Sequence, residues 1–307
     1  MPGTGVSQLR CDARTGQPWT PRQRLKNDLV FWTVRALLCF ADRIPPRGLL
    51  ALCRIGGRLA HALLGRLRAT ARANLRCALP REDSCHLARE SFVRAGENLG
   101  LTLLLRRPSF PAQALIEVAP DAAQLLQHTL DQGRGAVFVS AHLGPFEWIA
   151  ATLAELGHRP AVVVRESYDA RLDPLVDAHR LSRGVQVIHR GRVGAPVRIV
   201  RALRSGKPVG FLPDLGGRMR SRPAKLLGQR VDLPVGPERV AIRARCPVLF
   251  GTLRPRPPEG PFPRFQLELS RLDEPTEPSL GQTICDELTR EIARCPGQWL
   301  WMAPRFH

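Results

Sequence analysis

From residue 133 onward, short apolar runs alternate with longer stretches whose apolar positions recur at the helical period. "GRGAVFVSAH" is nearly continuous in apolar residues behind its glycines, which predicts a strand buried on both faces. The pattern then predicts a helix over 145–156, a strand over 160–164 ("PAVVV"), a helix over 171–182 and a strand over 185–189 ("VQVIH"). A helix over 194–205 and a strand over 208–213 ("PVGFLP") follow. Further strands are predicted in "CPVLFGTLR" (246–254) and "RFQLELS" (264–270), with a last helix over 279–295. Alternation at this spacing predicts an α/β fold, a single domain with a largely parallel sheet flanked by helices.

The amino-terminal third reads differently. Residues 28–46 ("DLVFWTVRALLCFADRIPP") are apolar for about thirteen positions, short of the roughly 20 that a membrane span needs. Over 48–75, Arg54, Arg58, His61, Arg68 and Arg72 recur along one helical stripe, and Leu52, Ile55, Leu59, Leu63 and Leu67 occupy the other side. A basic face beside an aliphatic one describes an amphipathic helix at a lipid interface; it also describes a helix docked on a core with its arginines solvated. Pro45-Pro46 and Pro80 punctuate these stretches, and a third helical pattern runs over 83–105. The expected organisation is a flexible polar tail over 1–27 and one domain over 28–307. Within that domain, 28–105 is helical and membrane-facing, and 133–307 is the α/β core. Residues 1–27 lack the apolar stretch of a cleavable signal.

Charge adds a statement about partners. Lys and Arg number 46 against 27 Asp and Glu, a net charge of +19, and lysine occurs only at Lys26, Lys207 and Lys225. The excess gathers in two territories, 22–81 and 180–230, where acids are reduced to Asp28 and Asp42 in the first and Asp214 in the second. Such an excess suits nucleic acid, an anionic membrane surface or phosphorylated substrates. With a single Tyr and no helix-turn-helix, zinc-finger or RRM-like signature, a nucleic-acid partner is disfavoured. The eight cysteines are scattered without a C-x-x-C pair, which fits buried thiols in a reducing, cytosol-facing compartment.

The candidate chemistry lies in "AVFVSAHLGPFEW" (136–148). Five helical residues turn through about 500°, so His142 and Glu147 do not share a helix face. They meet only if His142 sits at a strand end and Glu147 in the first turn of the next helix. Gly144 permits the sharp turn, and Pro145 suits a first helical position. Glu147 would then take a hydrogen bond from one imidazole nitrogen and leave the other as a general base. No Ser or Cys occupies a nucleophile elbow, so the base would act on a substrate hydroxyl directly, with helix amides beside it to stabilise an oxyanion. The same spacing also describes a histidine capping a strand and a glutamate favouring a helix dipole. Arg165, His189-Arg190 and Asp214 close the neighbouring strands, and ligands of open α/β sheets bind beyond such ends, which turns the reading toward a site. Metal-ligand spacing is absent: H-x-x-x-x-E is not H-E-x-x-H.

Eight stretches in register resemble the bacterial lipid A late acyltransferases, the lauroyl/myristoyl transferase family within the lysophospholipid acyltransferase superfamily. They are "RIPPRGLLALCRIGGRLAHALLG", "ARANLRCALP", "ENLGLTLLL", "SAHLGPFEW", "DPLVDAHRLSRGVQVIHR", "IVRALRSGKPVGFLPD", "LLGQRVDLPVGPERVAIRARCPVL" and "PGQWLWMAPRF". The resemblance implies transfer of a fatty acyl chain from an acyl-carrier-protein or CoA thioester to a hydroxyl of a lipid A-type glycolipid. The same chemistry on a phosphatidylinositol mannoside, an ornithine lipid or a lysophospholipid is the alternative. It places the enzyme at the cytoplasmic face of the inner membrane, peripheral or anchored by a single segment. His142 is expected as the base and Glu147 as its orienting partner. Arg165, Arg180, Arg190, Asp214 and Gly144 are expected on the substrate side. Transfer is expected to be direct, without a covalent acyl-enzyme, cofactor or metal.

Overall fold

The computed structural model describes residues 11–13, 15–216, 219–272, 279–303 and 306. The part of the expected tail over 1–10, with residue 14, lies outside them. From Cys11 the chain is already placed: Cys11 and Pro18 form an isolated bridge, and Trp19 is buried. Helix α1 (Pro21–Ala41) begins at a capping box between Thr20 and Gln23, with Pro21 at its first position.

The amino-terminal helices are α2 (Pro46–Leu63), α3 (Gly65–Ala78) and α4 (Ser84–Leu104). The helical stretch expected over 48–75 is therefore two helices, broken at Leu64. α2 and α4 touch through glycine: a Cβ on Gly57 would lie 2.4 Å from the Phe92 carbonyl oxygen, and one on Gly96 would lie 2.2 Å from that of Cys53. This contact turns Leu49 and Leu50 inward and leaves Leu52, Ile55, Leu59 and Leu63 exposed. α1 likewise exposes Leu25, Leu29, Trp32, Leu37 and Phe40. Among the described residues, no helix is long and apolar enough to cross a membrane.

The α/β core contains β1 (Ile116–Val118), α5 (Pro120–Asp131), β2 (Ala136–Val139), α6 (Glu147–Glu155), β3 (Ala161–Val164), α7 (Leu172–Leu181), β4 (Gln186–His189), α8 (Ala195–Arg204) and β5 (Pro208–Phe211). A hairpin of β6 (Ser221–Leu226) and β7 (Gln229–Pro234) follows, then α9 (Gly236–Ala244), β8 (Val248–Arg256), β9 (Arg264–Leu272) and α10 (Ser279–Arg294). The predicted strands and helices are present within a few residues of their expected bounds. β1, α5, the hairpin and α9 were not anticipated, and β1 carries the sheet back to Ile116, ahead of residue 133.

The sheet has seven strands in the order β1-β9-β8-β2-β5-β3-β4. Strands β8, β2, β5, β3 and β4 are parallel; β9 joins β8 antiparallel, and β1 pairs β9 in parallel. β2 is buried along its whole length. Val137 and Val139 enter one core with α8, α9 and α10, while Ala136 and Phe138 enter the other with α2, α5 and α6. The chain passes from β2 to β3 and β4, then returns to place β5 between β2 and β3. That return decides the site.

Candidate active site

β2 and β5 are parallel neighbours with Val139 opposite Phe211. Three residues beyond each lie His142 and Asp214, so the sheet itself delivers an imidazole and a carboxylate to one point. His142 Nδ1 lies 2.8 Å from Asp214 Oδ1, and the His142 backbone N–H donates to Oδ2 at 3.0 Å. The Asp214 side chain has no solvent exposure, whereas the imidazole is 21 % exposed. A carboxylate accepts only from a protonated Nδ1, so the neutral ring carries its proton there and leaves Nε2 as the proton acceptor. The ring is steadied by an edge contact from Phe146, centroid to centroid 4.8 Å.

Glu147 opens α6, as expected, but forms no hydrogen bond with His142. Gly144, at φ +60°, turns the chain between them. The Glu147 carboxylate is taken by Arg180, through Nε at 2.9 Å and through Nη2, and His179 Nε2 lies 3.5 Å away. The expected His142–Glu147 hydrogen bond is replaced by His142–Asp214 because β5, not α6, lies against the imidazole. Burial alone would raise the Glu147 carboxyl, but His179 and Arg180 outweigh it and hold the pKa at about 2.

Arg180 belongs to a buried polar chain. Asp173, Asp177 and Arg180 lie four and three residues apart, on one face of α7. Arg180 Nη1 donates to Asp177 Oδ1 at 3.1 Å, and His189 Nε2 lies 2.7 Å from Asp177 Oδ2. Asp173 accepts from the Ser167 backbone N–H at 2.9 Å and from Arg192 at 3.2 Å. Arg180 thus clamps α6 to α7. Its guanidinium, which burial would lower, is held above its ordinary pKa by Glu147 and Asp177.

Arg165 and Arg190 follow β3 and β4, whose register sets Val164 opposite His189. Burial pushes the Arg190 pKa down, the neighbouring Arg165 adds to that, and Glu166 partly offsets it. Among the described residues neither arginine forms a salt bridge with a carboxylate, and Arg190 donates to the Met219 sulfur. Two adjacent guanidiniums of this kind are suited to a phosphate.

These groups meet at one cavity of about 520 Å³. His142, Glu147, Arg165, Arg180 and Arg190 line its polar part; Phe138, Leu153, Pro160, Val162, Pro208 and Gly210 line the apolar part. Lining residues run along β3 from Pro160, just before the strand, to Arg165, just after it. At ~3.3 Å per residue the slot is roughly 16 Å long. Asp214 and Gly144 do not line it. The Asp214 side chain lies behind His142 without solvent exposure, and the Gly144 N–H is bound to the Gln298 carbonyl at 3.1 Å, so these groups are not presented to the cavity as the expected substrate contacts would be.

The sequence reading missed Asp177 and His189 as supports, though the Asp173, Asp177, Arg180 spacing was a legible signal. It also missed Trp299, which lies in the quoted stretch "PGQWLWMAPRF" but whose spacing does not point to Asp214. Among the described residues, no three His, Cys, Asp or Glu side chains are grouped to hold a metal ion.

A family model described as bacterial lipid A biosynthesis acyltransferase matches residues 20–307. No curated protein gives a significant match to the chain.

Proposed function

The chain belongs to the bacterial lipid A biosynthesis acyltransferase family, and from that premise we propose that it moves a fatty acyl chain from a carrier-protein or CoA thioester to a hydroxyl of a phosphorylated, lipid A-type glycolipid. The observation that carries this reading is the His142–Asp214 pair at the polar end of a long apolar slot. The acyl chain occupies the slot, which holds its thioester carbonyl beside His142. The acceptor hydroxyl enters from the arginine side, with its phosphate on Arg165 and Arg190.

The chemistry follows from these positions. His142 Nε2 removes the hydroxyl proton as the oxygen attacks the thioester carbon, and Asp214 stabilises the imidazolium that forms. The resulting oxyanion lies near the amino-terminal end of α6, the positive end of its dipole. Collapse breaks the carbon–sulfur bond, and the departing thiolate takes the proton back from His142. No covalent acyl-enzyme is required. Glu147, kept anionic by Arg180, braces the wall between α6 and α7 rather than orienting the base.

Exposed leucines on α1 and α2 support membrane association at the cytoplasmic face of the inner membrane, where glycolipid precursor and thioester meet. The test is mass spectrometry of the products formed by purified protein from an acyl thioester and a phosphorylated glycolipid in vesicles. Acyl ester on the glycolipid with wild type and none with His142→Ala supports the reading. Transfer to a lysophospholipid alone moves the acceptor assignment, and undiminished transfer by His142→Ala removes the base.

A further inference from the structure

Asp214 is also held from the carboxyl-terminal segment. The indole N–H of Trp299 donates to Asp214 Oδ2 at 3.0 Å, the oxygen that accepts the His142 backbone N–H. Trp299 is fully buried and lies off the cavity wall. Its segment is stitched to the turn after His142: Leu143 and Trp299 form an isolated antiparallel bridge, and Gly144 donates to Gln298. On the far side, the Asn74 amide of α3 donates to the carbonyls of Trp301 at 2.9 Å and Ala303 at 2.8 Å. Trp301 meets Trp299 edge-on with centroids 4.7 Å apart. Two sequence segments that the reaction itself does not use, "ARANL" (71–75) and "PGQWLWMA" (296–303), therefore converge behind the catalytic pair.

An indole N–H can only donate, and once buried it needs an acceptor. A carboxylate with no solvent exposure needs donors on both oxygens, since water cannot reach it. Its torsion about Cβ–Cγ is intrinsically broad, so direction comes from those donors. The two donors on Oδ2, the His142 backbone N–H and the Trp299 indole N–H, thus fix where Oδ1 points, and Oδ1 is the atom on the imidazole.

Resting on the reading of His142 as the base, we infer that Trp299 is a positioning residue: its indole N–H orients Asp214 and, through it, fixes the tautomer of His142. Trp299 touches neither the cavity nor any reacting atom, so its loss acts on kcat and not on KM.

The experiment compares wild type with Trp299→Phe. Nitrogen-15 spectra of labelled histidine at pH 8 show His142 as the Nδ1–H tautomer in wild type and as a mixture in the variant. In transfer assays kcat falls about 10-fold with KM unchanged, the scale of one lost hydrogen bond to a charged group. In an Asp214→Asn background the same substitution adds little, within about twofold, because the two residues act as a unit. Should Phe unfold the protein, 3-benzothienylalanine at position 299 keeps the bicyclic shape and removes the N–H. An unchanged His142 tautomer in the folded variant overturns the inference, as does full additivity with Asp214→Asn. The spectra need no turnover, so a wild type that transfers nothing sinks the proposed function and leaves this inference to be decided by the tautomer.

Discussion

The imidazole of His142 and the carboxylate of Asp214 are 2.8 Å apart although the two residues follow different strands, and the register of β2 against β5 puts them there. The pair has the geometry of a base and its orienting acid, with the proton-accepting nitrogen belonging to a residue of the cavity wall.

Removing either member should abolish most of the activity. His142→Ala and Asp214→Asn are expected to lower kcat by about 10²- to 10⁴-fold, the range of a general base. His142→Ala should melt close to wild type, because the ring is partly exposed. Thioester consumption and thermal denaturation measured on the same preparations check both statements.

The Glu147–Arg180 pair makes a statement about acid stability. Its carboxyl titrates at about 2 in the folded chain against an ordinary 4.5. A depressed folded pKa contributes stability that is complete above about pH 4.5 and lost as pH falls toward 2. Melting temperatures between pH 6 and 2.5 should therefore drop more steeply in wild type than in Glu147→Gln. Arg180→Ala leaves Glu147 and Asp177 without their cation and should cost about 3–5 kcal/mol at neutral pH. A variant as stable as wild type would contradict the clamp.

Chain-length choice should respond to Gly210. A Cβ there would sit 3.4 Å from Val162 Cγ1 and 3.6 Å from the Ala161 carbonyl oxygen, both ordinary contacts, so an added methyl fits on the wall of the slot. Gly210→Ala and Gly210→Leu are expected to shift preference progressively to shorter acyl thioesters. Competition among thioesters of graded length, read by mass spectrometry, tests this; an unshifted preference places the acyl chain elsewhere.

Arg165→Ala and Arg190→Ala should each raise KM for a phosphorylated acceptor about tenfold, the loss of one charge-assisted contact. KM for the thioester should stay unchanged. Equal losses with a dephosphorylated acceptor would show that the arginines serve another purpose.

On α2, Leu59 is 55 % and Leu63 78 % exposed, so neither holds the core together. The double variant Leu59→Glu, Leu63→Glu should melt like wild type yet bind anionic vesicles about 10-fold or more weakly. Vesicle flotation beside thermal denaturation separates the two effects.

Much of this was legible before any coordinates. Short length, flanking glycines and β-branched content mark buried strands such as "AVFV", and helical spacing marks the amphipathic α7 and α8, because burial on two faces and burial on one leave different apolar patterns. Arg165, Arg190 and Asp214 were recognisable as strand-end polar residues for the same reason. The hairpin escaped because its exposed positions are Ser221, Pro223, Lys225, Arg230 and Asp232, which suit a loop equally well, and β1 escaped because three residues give no period.

What the sequence determined by itself was the central strands and the helices between them, the polar residues at their ends and a histidine just past β2, since each depends on neighbours along the chain. Which carboxylate faces that histidine was decided only by tertiary structure. The order of strands in a sheet is set by how the crossovers pack, and no local pattern records that β5 inserts between β2 and β3. The same insertion brought Asp214 within reach of Trp299.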